Sequence, residues 1–164
     1  MMYYTWLATP IGKIFISKTD EGIDLITWQK GKWNDYYRNN KSNLKQEAKK
    51  FEAFVNKMKR YFSGKEVCFD EKMDIGRYSP LEKSIWKKIQ EIPYGQTRSY
   101  KWLACKVGNS KLARVVGNAC AKNPFPIIVP CHRVVKSDGG LGGFAGGLKR
   151  KTILLRIERA VKTC

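Results

Sequence analysis

Ser79-Pro80-Leu81-Glu82, at the middle of the chain, is the strongest local structural instruction in the sequence. A serine that accepts from the N3 amide, a proline whose fixed φ suits the first helical position, and a glutamate that reaches back to the serine amide make a capping box. A helix therefore starts at Pro80. Leu81, Ile85, Ile89 and Ile92 form its apolar face, and Pro93-Tyr94-Gly95 ends it. This start divides the chain into residues 1–75 and 79–164, with Asp70–Tyr78 reading as a linker.

The two parts have different grammars. Tyr3–Ala8, Lys13–Ser17 and Ile23–Trp28 are short and rich in β-branched and aromatic residues. Thr9-Pro10-Ile11-Gly12 and Asp20-Glu21-Gly22 separate them, which predicts a three-stranded antiparallel meander. A polar loop is expected from Gly31 to about Ser42. Leu44, Ala48, Phe51, Val55, Met58 and Phe62 then recur at steps of four and three, a helical stripe ended by Gly64. No catalytic constellation stands out here, and a scaffold role is expected for residues 1–75.

Downstream, a second helix is expected from its cap Ser99 to Val107, with Gly108 at the stop, and a third from about Ser110. Two short helices joined by a glycine-containing turn are a helix-turn-helix pattern, although many small helical cores share it. On the third helix Leu112, Val115, Val116 and Ala119 share one face. Lys111, Arg114, Asn118 and Lys122 share a second, and the small residues Ala113, Gly117, Cys120 and Ala121 a third. The last two faces suit either a nucleic-acid backbone or a neighbouring helix. Ile127-Ile128-Val129 reads as a buried strand running into Cys131 and His132. A glycine-rich loop, Gly139–Gly147, and a basic helix from about Leu148 to Val161 complete the chain.

With 164 residues, 43% hydrophobic and 28% charged, the chain has a globular balance, enough for one ordinary domain or two small ones. Its charge is uneven. Residues 1–78 hold 15 basic and 10 acidic side chains, net +5; residues 79–164 hold 17 and 4, net +13. A basic half points to a polyanion, above all nucleic acid, against the plainer reading of a lysine-rich surface. No uncharged apolar run approaches the ~18 residues of a spanning helix. Met1–Gly12 contains Thr5, Thr9 and Pro10 and lacks a basic start. Neither a signal peptide nor a membrane partner is expected, and the expected location is cytoplasmic. Five irregularly spaced cysteines do not make a secreted disulfide scaffold, although pairing of Cys105 with Cys120 stays open. One histidine makes an ordinary Cys/His zinc site hard to assemble.

That histidine, His132, directly follows Cys131. A thiolate is a strong nucleophile when a base or positive charge activates it, but a Cys-His dipeptide equally describes a buried structural pair. On a strand the two side chains would face opposite ways, so contact would need a bridging water or a turn of the backbone.

The whole pattern is more specific. Ile127-Ile128-Val129-Pro130-Cys131-His132-Arg133-Val134-Val135 resembles the active-site signature of the 6-O-alkylguanine-DNA alkyltransferase family, in its small prokaryotic type. Ile92-Pro93-Tyr94-Gly95-Gln96-Thr97-Arg98-Ser99-Tyr100 resembles the family's turn into its helix-turn-helix, and Ala113-Arg114-Val115-Val116-Gly117 its recognition helix. Asn123-Pro124 resembles its hinge; Gly146-Gly147-Leu148 and Leu154-Leu155…Glu158 resemble its C-terminal segment. The likeness runs in order from Ser79 to the end.

The resemblance implies an α+β chain. Residues 1–75 would be a small antiparallel sheet with helix of ribonuclease-H-like topology, and 79–164 a C-terminal winged helix-turn-helix domain. It implies a monomer that flips an alkylated guanine from double-stranded DNA and transfers the alkyl group irreversibly to its own cysteine. 4-O-Alkylthymine is a second candidate substrate, and no cofactor or metal is implied. Cys131 would be the acceptor, His132 its base through water, and Glu158 the acid that holds the imidazole; at the residue level Glu158 also reads as a surface partner of Arg156 or Lys162. Tyr100 would donate to guanine N3, and Arg114 would fill the vacated stack. Ala113, Gly117 and Ala121 would lie in the minor groove. Asn123 would brace the hinge, the carbonyls of Cys131 and Val134 would read the guanine amino group, and Lys151 would sit near the pocket. Phe144-Ala145 stands where some relatives carry Tyr-Ser: Ala145 keeps the backbone N–H for guanine O6, while Phe144 keeps an apolar wall without the hydroxyl. The alternative within this resemblance is a non-catalytic winged-helix protein that binds alkyl lesions, against which the presence of Cys131 argues.

Overall fold

The computed structural model describes residues 1–160. Strands β1 (Met2–Thr9), β2 (Gly12–Lys18) and β3 (Ile23–Thr27) form the expected antiparallel meander. A fourth strand, β4 (Leu44–Gln46), joins the other edge in parallel with β1, so the order is β3-β2-β1-β4.

Alternation along β2 decides which helix covers which face. Ile14 and Ile16 are fully buried on the side of the helix α2 (Glu52–Phe62), whose Phe54, Met58 and Tyr61 are buried in the same core. Phe15 points the other way and stacks on Trp33, ring centroids 4.6 Å apart. Trp33 belongs to α1 (Lys30–Asn40), which lies where a polar loop was expected. Its polar residues conceal the apolar set Trp33, Tyr36 and Tyr37, whose spacing is helical. The helical stripe assigned from Leu44 is correspondingly shorter. Leu44 is in β4, and Ala48–Phe51 forms a 3-10 turn that leads into α2.

Asp70–Tyr78 is not a free linker. Met73 bridges to Ile23, the Asp74 amide donates to the Ile23 carbonyl at 2.7 Å, and Arg77 pairs with the buried Asp24. The segment is an edge covering for β3. It delivers the chain to α3 (Pro80–Gln90), where the capping box of Ser79 and Glu82 is complete. Then follow β5 (Arg98–Ser99), α4 (Tyr100–Lys106), α5 (Ala113–Lys122), β6 (Val134–Val135) and α6 (Leu148–Ala160). Ser99 caps α4 by accepting from the Trp102 amide. The helix-turn-helix is α4 and α5, with a 3-10 turn at Ser110–Leu112 before the second helix. Beside it, β5 pairs in parallel with β6, and the chain continues into the glycine-rich loop. The proposed end of the last helix at Val161, and with it Lys162, lies outside the described residues.

The architecture is mixed α+β, with a small sheet in the N-terminal half and a helical C-terminal half. One hydrophobic core runs through both. Ile14, Met58 and Tyr61 share it with Trp86, Leu103, Val116 and Phe125. The Trp86 indole N–H, buried at the centre, donates to the Ala119 carbonyl at 3.0 Å and ties α3 to α5. Among the described residues no helix is long and apolar enough to cross a membrane.

Candidate active site

Residues 127–129 are buried, as a strand would be, but they are not one. Ile127 has φ +78°, a left-handed conformation that strains a β-branched residue by roughly 1–3 kcal/mol. The Val129 amide donates to the Phe125 carbonyl at 2.8 Å and closes a tight turn, and Cys131–Arg133 is a single 3-10 turn. β-Branched composition reads as strand; the packing around Asn123 overrides it. Asn123 Nδ2 donates to the Val129 carbonyl at 2.9 Å and to Cys131 Sγ at 3.2 Å, while its Oδ1 accepts from the Phe125 amide at 2.9 Å. One buried side chain thus spans the end of α5, the turn and the thiol.

Cys131 borders a cavity of about 600 Å³. Tyr100 from α4, the α5 residues Ala113, Arg114, Gly117 and Ala121, and Phe144 and Ala145 from the glycine-rich loop line the same space. Arg114 and Ala121 are exposed, so the cavity opens along the outer face of α5. The small-residue face of α5 is therefore turned to this opening, not packed on a neighbouring helix.

Lys151 lies behind the loop. Its side chain is buried, and Nζ donates to the carbonyls of Val134 at 2.7 Å, Gly143 at 3.3 Å and Leu141. Burial lowers its pKa. Val134 is buried in β6 opposite Arg98. Gly142, at φ +71°, lies flat against Tyr100: a Cβ there would sit 2.8 Å from its Cε2. The Tyr100 hydroxyl donates to the Gly143 carbonyl at 3.2 Å, and burial, with the nearby Cys120 and Cys131 thiols, pushes its pKa up to about 12. It is a protonated donor at neutral pH.

His132 and Glu158 form a pair on the far side of Cys131, both essentially inaccessible, with Nε2 2.6 Å from Oε1. Surface pairing of Glu158 is thereby corrected: α6 presents it inward. The Arg133 guanidinium grips both carboxylate oxygens through Nε, at 3.2 and 3.0 Å, and Oε1 through Nη2 at 3.0 Å. Its Nη1 donates to the Ile92 carbonyl at 2.7 Å, and the Gly95 amide donates to Oε2 at 3.2 Å. Burial alone would raise the Glu158 pKa. The His132 hydrogen bond and Arg133 outweigh it and hold the group at about 2. Burial lowers the His132 pKa against the opposing pull of Glu158, so the imidazole is neutral. Burial raises the Cys131 pKa, offset in part by Asn123, Lys151 and the backbone amides of Cys131 and His132. The resting site is therefore thiol, neutral imidazole and carboxylate. With Nε2 turned to Glu158, Nδ1 is the nitrogen left to take a proton.

Residues 1–75 reach this site, contrary to a purely scaffolding role. The Tyr61 hydroxyl donates to Glu158 Oε1 at 2.7 Å and lies 3.3 Å from His132 Nε2. Gln29 Nε2 donates to the Ala145 carbonyl at 2.7 Å, and Trp28 packs on Phe144, centroids 5.7 Å apart. Tyr61 carried no signal in the sequence, and Trp28 was legible only as a strand end. Arg133 stood inside the signature with no partner to name. Cys105 and Cys120 are both free thiols.

A buried thiol beside a His–Glu pair, opening along the second helix of a helix-turn-helix, defines a helix-turn-helix protein built around a cysteine site. The model of the 6-O-methylguanine DNA methyltransferase ribonuclease-like domain matches residues 2–75, and that of the 6-O-methylguanine DNA methyltransferase DNA-binding domain matches residues 80–160. The chain is 40% identical over 162 residues to a methylated-DNA–protein-cysteine methyltransferase of Methanosarcina barkeri, covering 96% of this chain and 97% of that one. It is 32% identical to the constitutive enzyme of that name from Bacillus subtilis, covering 97% and 96%. Among solved structures, Mycobacterium tuberculosis OGT in complex with DNA superposes with a TM-score of 0.85 at 31% identity, covering 97% of this chain and 94% of that one. The chain belongs to the 6-O-methylguanine DNA methyltransferase family.

Proposed function

We propose that this chain repairs double-stranded DNA by taking the alkyl group of a 6-O-alkylguanine onto Cys131, once per molecule. The observation that carries the reading is the position of the Cys131 thiol. It borders a cavity of base-accommodating size that opens along α5, with the His132–Glu158 pair behind it.

The roles follow from the chemistry of each group. His132 Nδ1 accepts the thiol proton through a water, and Glu158 stabilises the imidazolium that results. Sulfur then attacks the alkyl carbon: an S–C bond forms, the C–O6 bond breaks, and its electron pair stays on the guanine. The Tyr100 hydroxyl, whose single proton goes to the Gly143 carbonyl in the free protein, turns it to N3 of the departing base, where that charge collects. The Ala145 amide serves O6, and the carbonyls of Cys131 and Val134 serve the exocyclic amino group. Phe144 walls the alkyl group, and Lys151 fixes the loop that carries these contacts. Ala113, Gly117 and Ala121 let α5 approach the minor groove closely, and Arg114 takes the place of the extruded base. In this reading residues 1–75 and 79–164 are two domains. The protein works as a monomer in the cytoplasm, needs no cofactor, and binds duplex DNA through the basic second half.

The test is to mix the protein with methylated duplex DNA and analyse its peptides by mass spectrometry. One methyl mass gained on the Cys131 peptide supports the reading. Binding without any gain would favour a lesion-binding protein. Cys131→Ser should keep duplex affinity and lose transfer altogether.

A further inference from the structure

Tyr61 belongs to α2, in the half of the chain that lacks the acceptor cysteine, yet its hydroxyl is the third corner of a buried triangle. Oη is 2.7 Å from Glu158 Oε1 and 3.3 Å from His132 Nε2, and Nε2 is 2.6 Å from Oε1. Resting on the alkyl-transfer reading above, we propose that Tyr61 is a positioning residue for the base: it shares the Glu158 carboxylate with His132 and keeps the Nδ1 lone pair directed at the thiol side.

An ionised carboxylate only accepts, so the single phenol proton goes to Oε1. The phenol oxygen then offers His132 only lone pairs. Nε2 faces two acceptors, the carboxylate and the phenol oxygen, and must carry the imidazole proton. Nδ1 is left unprotonated, which is the tautomer a base needs. Tyr61 itself stays protonated, because burial and then the Glu158 charge raise its pKa well above the ordinary value.

The hydroxyl is held by more than its hydrogen bonds. The Tyr61 ring meets Phe62, Phe69 and Tyr94 edge-on, with centroids 5.3, 5.8 and 6.2 Å away. The charged and titratable groups that face the imidazole are Tyr61 from α2, Cys131 and Arg133 from its own turn, and Glu158 and Lys151 from α6. Of these, Tyr61 and Glu158 are the ones within hydrogen-bond distance of Nε2. A phenol that donates to Oε1 withdraws part of the carboxylate's charge from His132. Removing the hydroxyl returns that charge, so the imidazole should bind its proton more tightly and lose one constraint on its orientation.

The chain contains one histidine, so one set of imidazole nitrogen signals reports this site in the full protein. Tyr61→Phe should raise the His132 protonation midpoint by about half a pH unit or more. The acid limb of single-turnover methyl transfer should move up with it. The maximal transfer rate should fall roughly 5–30-fold, as for a partly disabled base, while duplex affinity stays unchanged. An unmoved midpoint together with a rate within about two-fold of the parent overturns the proposal. Should Tyr61→Phe fail to fold, the unmodified protein decides. An Nε2–H tautomer with a magnetisation-transfer contact between the Tyr61 hydroxyl and the His132 ring supports the proposal, and an Nδ1–H tautomer overturns it. If the midpoint moves but the unmodified protein transfers no methyl group, the Tyr61 network stands and the alkyl-transfer reading falls.

Discussion

Asn123 Nδ2 donates to Cys131 Sγ at 3.2 Å from a side chain that also ties the Val129 carbonyl and the Phe125 amide. The thiol and the turn that carries it are thus held by one amide group. Asn123→Ala would leave the buried Phe125 amide unpaired, at a cost of about 1–3 kcal/mol, while the Val129 carbonyl keeps the Cys131 amide as a donor at 2.8 Å. The variant should lose on the order of 1–3 kcal/mol in chemical denaturation. Transfer should fall as well, because the thiol loses a donor that favours its anion. A variant as stable as the parent would show that water replaces the amide.

Stability should fall in acid in two steps. His132 has its folded pKa below the ordinary 6.5, so the unfolded chain binds the proton more readily; that contribution is full above about pH 6.5 and is lost as pH falls below it. Glu158 is held at about 2 against an ordinary 4.5, and its contribution, on the order of 3 kcal/mol, is lost between pH 4.5 and 2. Denaturation midpoints measured from pH 8 to 3 should show both declines. Glu158→Gln should abolish the lower one, and its persistence would mean that another carboxylate is responsible.

How much of this was legible in the sequence depends on where each signal is stored. Helix starts are local, so Ser79 and Ser99 marked α3 and α4 correctly. The α5 face of Ala113, Gly117 and Ala121 followed from angular spacing, and its exposure to the cavity needed the fold. α1 was missed because its aromatic residues sit among polar ones and bury against β2, a partner distant in sequence. The β-branched run Ile127–Val129 favours a strand on propensity alone, whereas the left-handed φ of Ile127 exists only within the buried turn that Asn123 ties at Phe125 and Val129. The pairing of Glu158 with His132 came from family resemblance. Tyr61 and Arg133 carried no readable signal, since their roles exist only where α2, the 131–133 turn and α6 meet.

Arg114 is exposed at the cavity mouth and makes no hydrogen bond to the thiol or its turn. Its effect should therefore be confined to the flipped state of the base. Unstacking a base costs a few kcal/mol. Arg114→Ala should slow repair of duplex DNA by roughly 10–100-fold, the rate equivalent of about 1.4–3 kcal/mol. Transfer from free 6-O-benzylguanine should be nearly unchanged. Equal losses on both substrates would place Arg114 in the bond-breaking step.

Gly146 fixes the loop through close contact. A Cβ there would lie 2.4 Å from Trp28 Nε1, on an indole already packed against Phe144. Gly146→Ala should cost about 1–3 kcal/mol by overpacking. It should also accelerate amide exchange in the loop 139–147 more than in α5. Uniform acceleration would mean that the contact stabilises the whole chain and not the loop.

A thioether on Cys131 is a stable product, and neither His132 nor Tyr100 can return the alkyl carbon to an acceptor, since each acts only on protons. Each chain should accept one alkyl group and stop. The added methyl must fit where Asn123 Nδ2 now approaches sulfur to 3.2 Å, and a thioether accepts a hydrogen bond only weakly. The hinge contact should be lost, and overpacking adds about 1–3 kcal/mol. For a chain of this size that lowers the melting temperature by roughly 2–12 °C. Excess methylated duplex should give a plateau at one methyl per chain, followed on removal of the DNA by a product that melts below the parent. Continued turnover would contradict the irreversible acceptor, and a product as stable as the parent would show that the pocket around Cys131 already has room for the alkyl group.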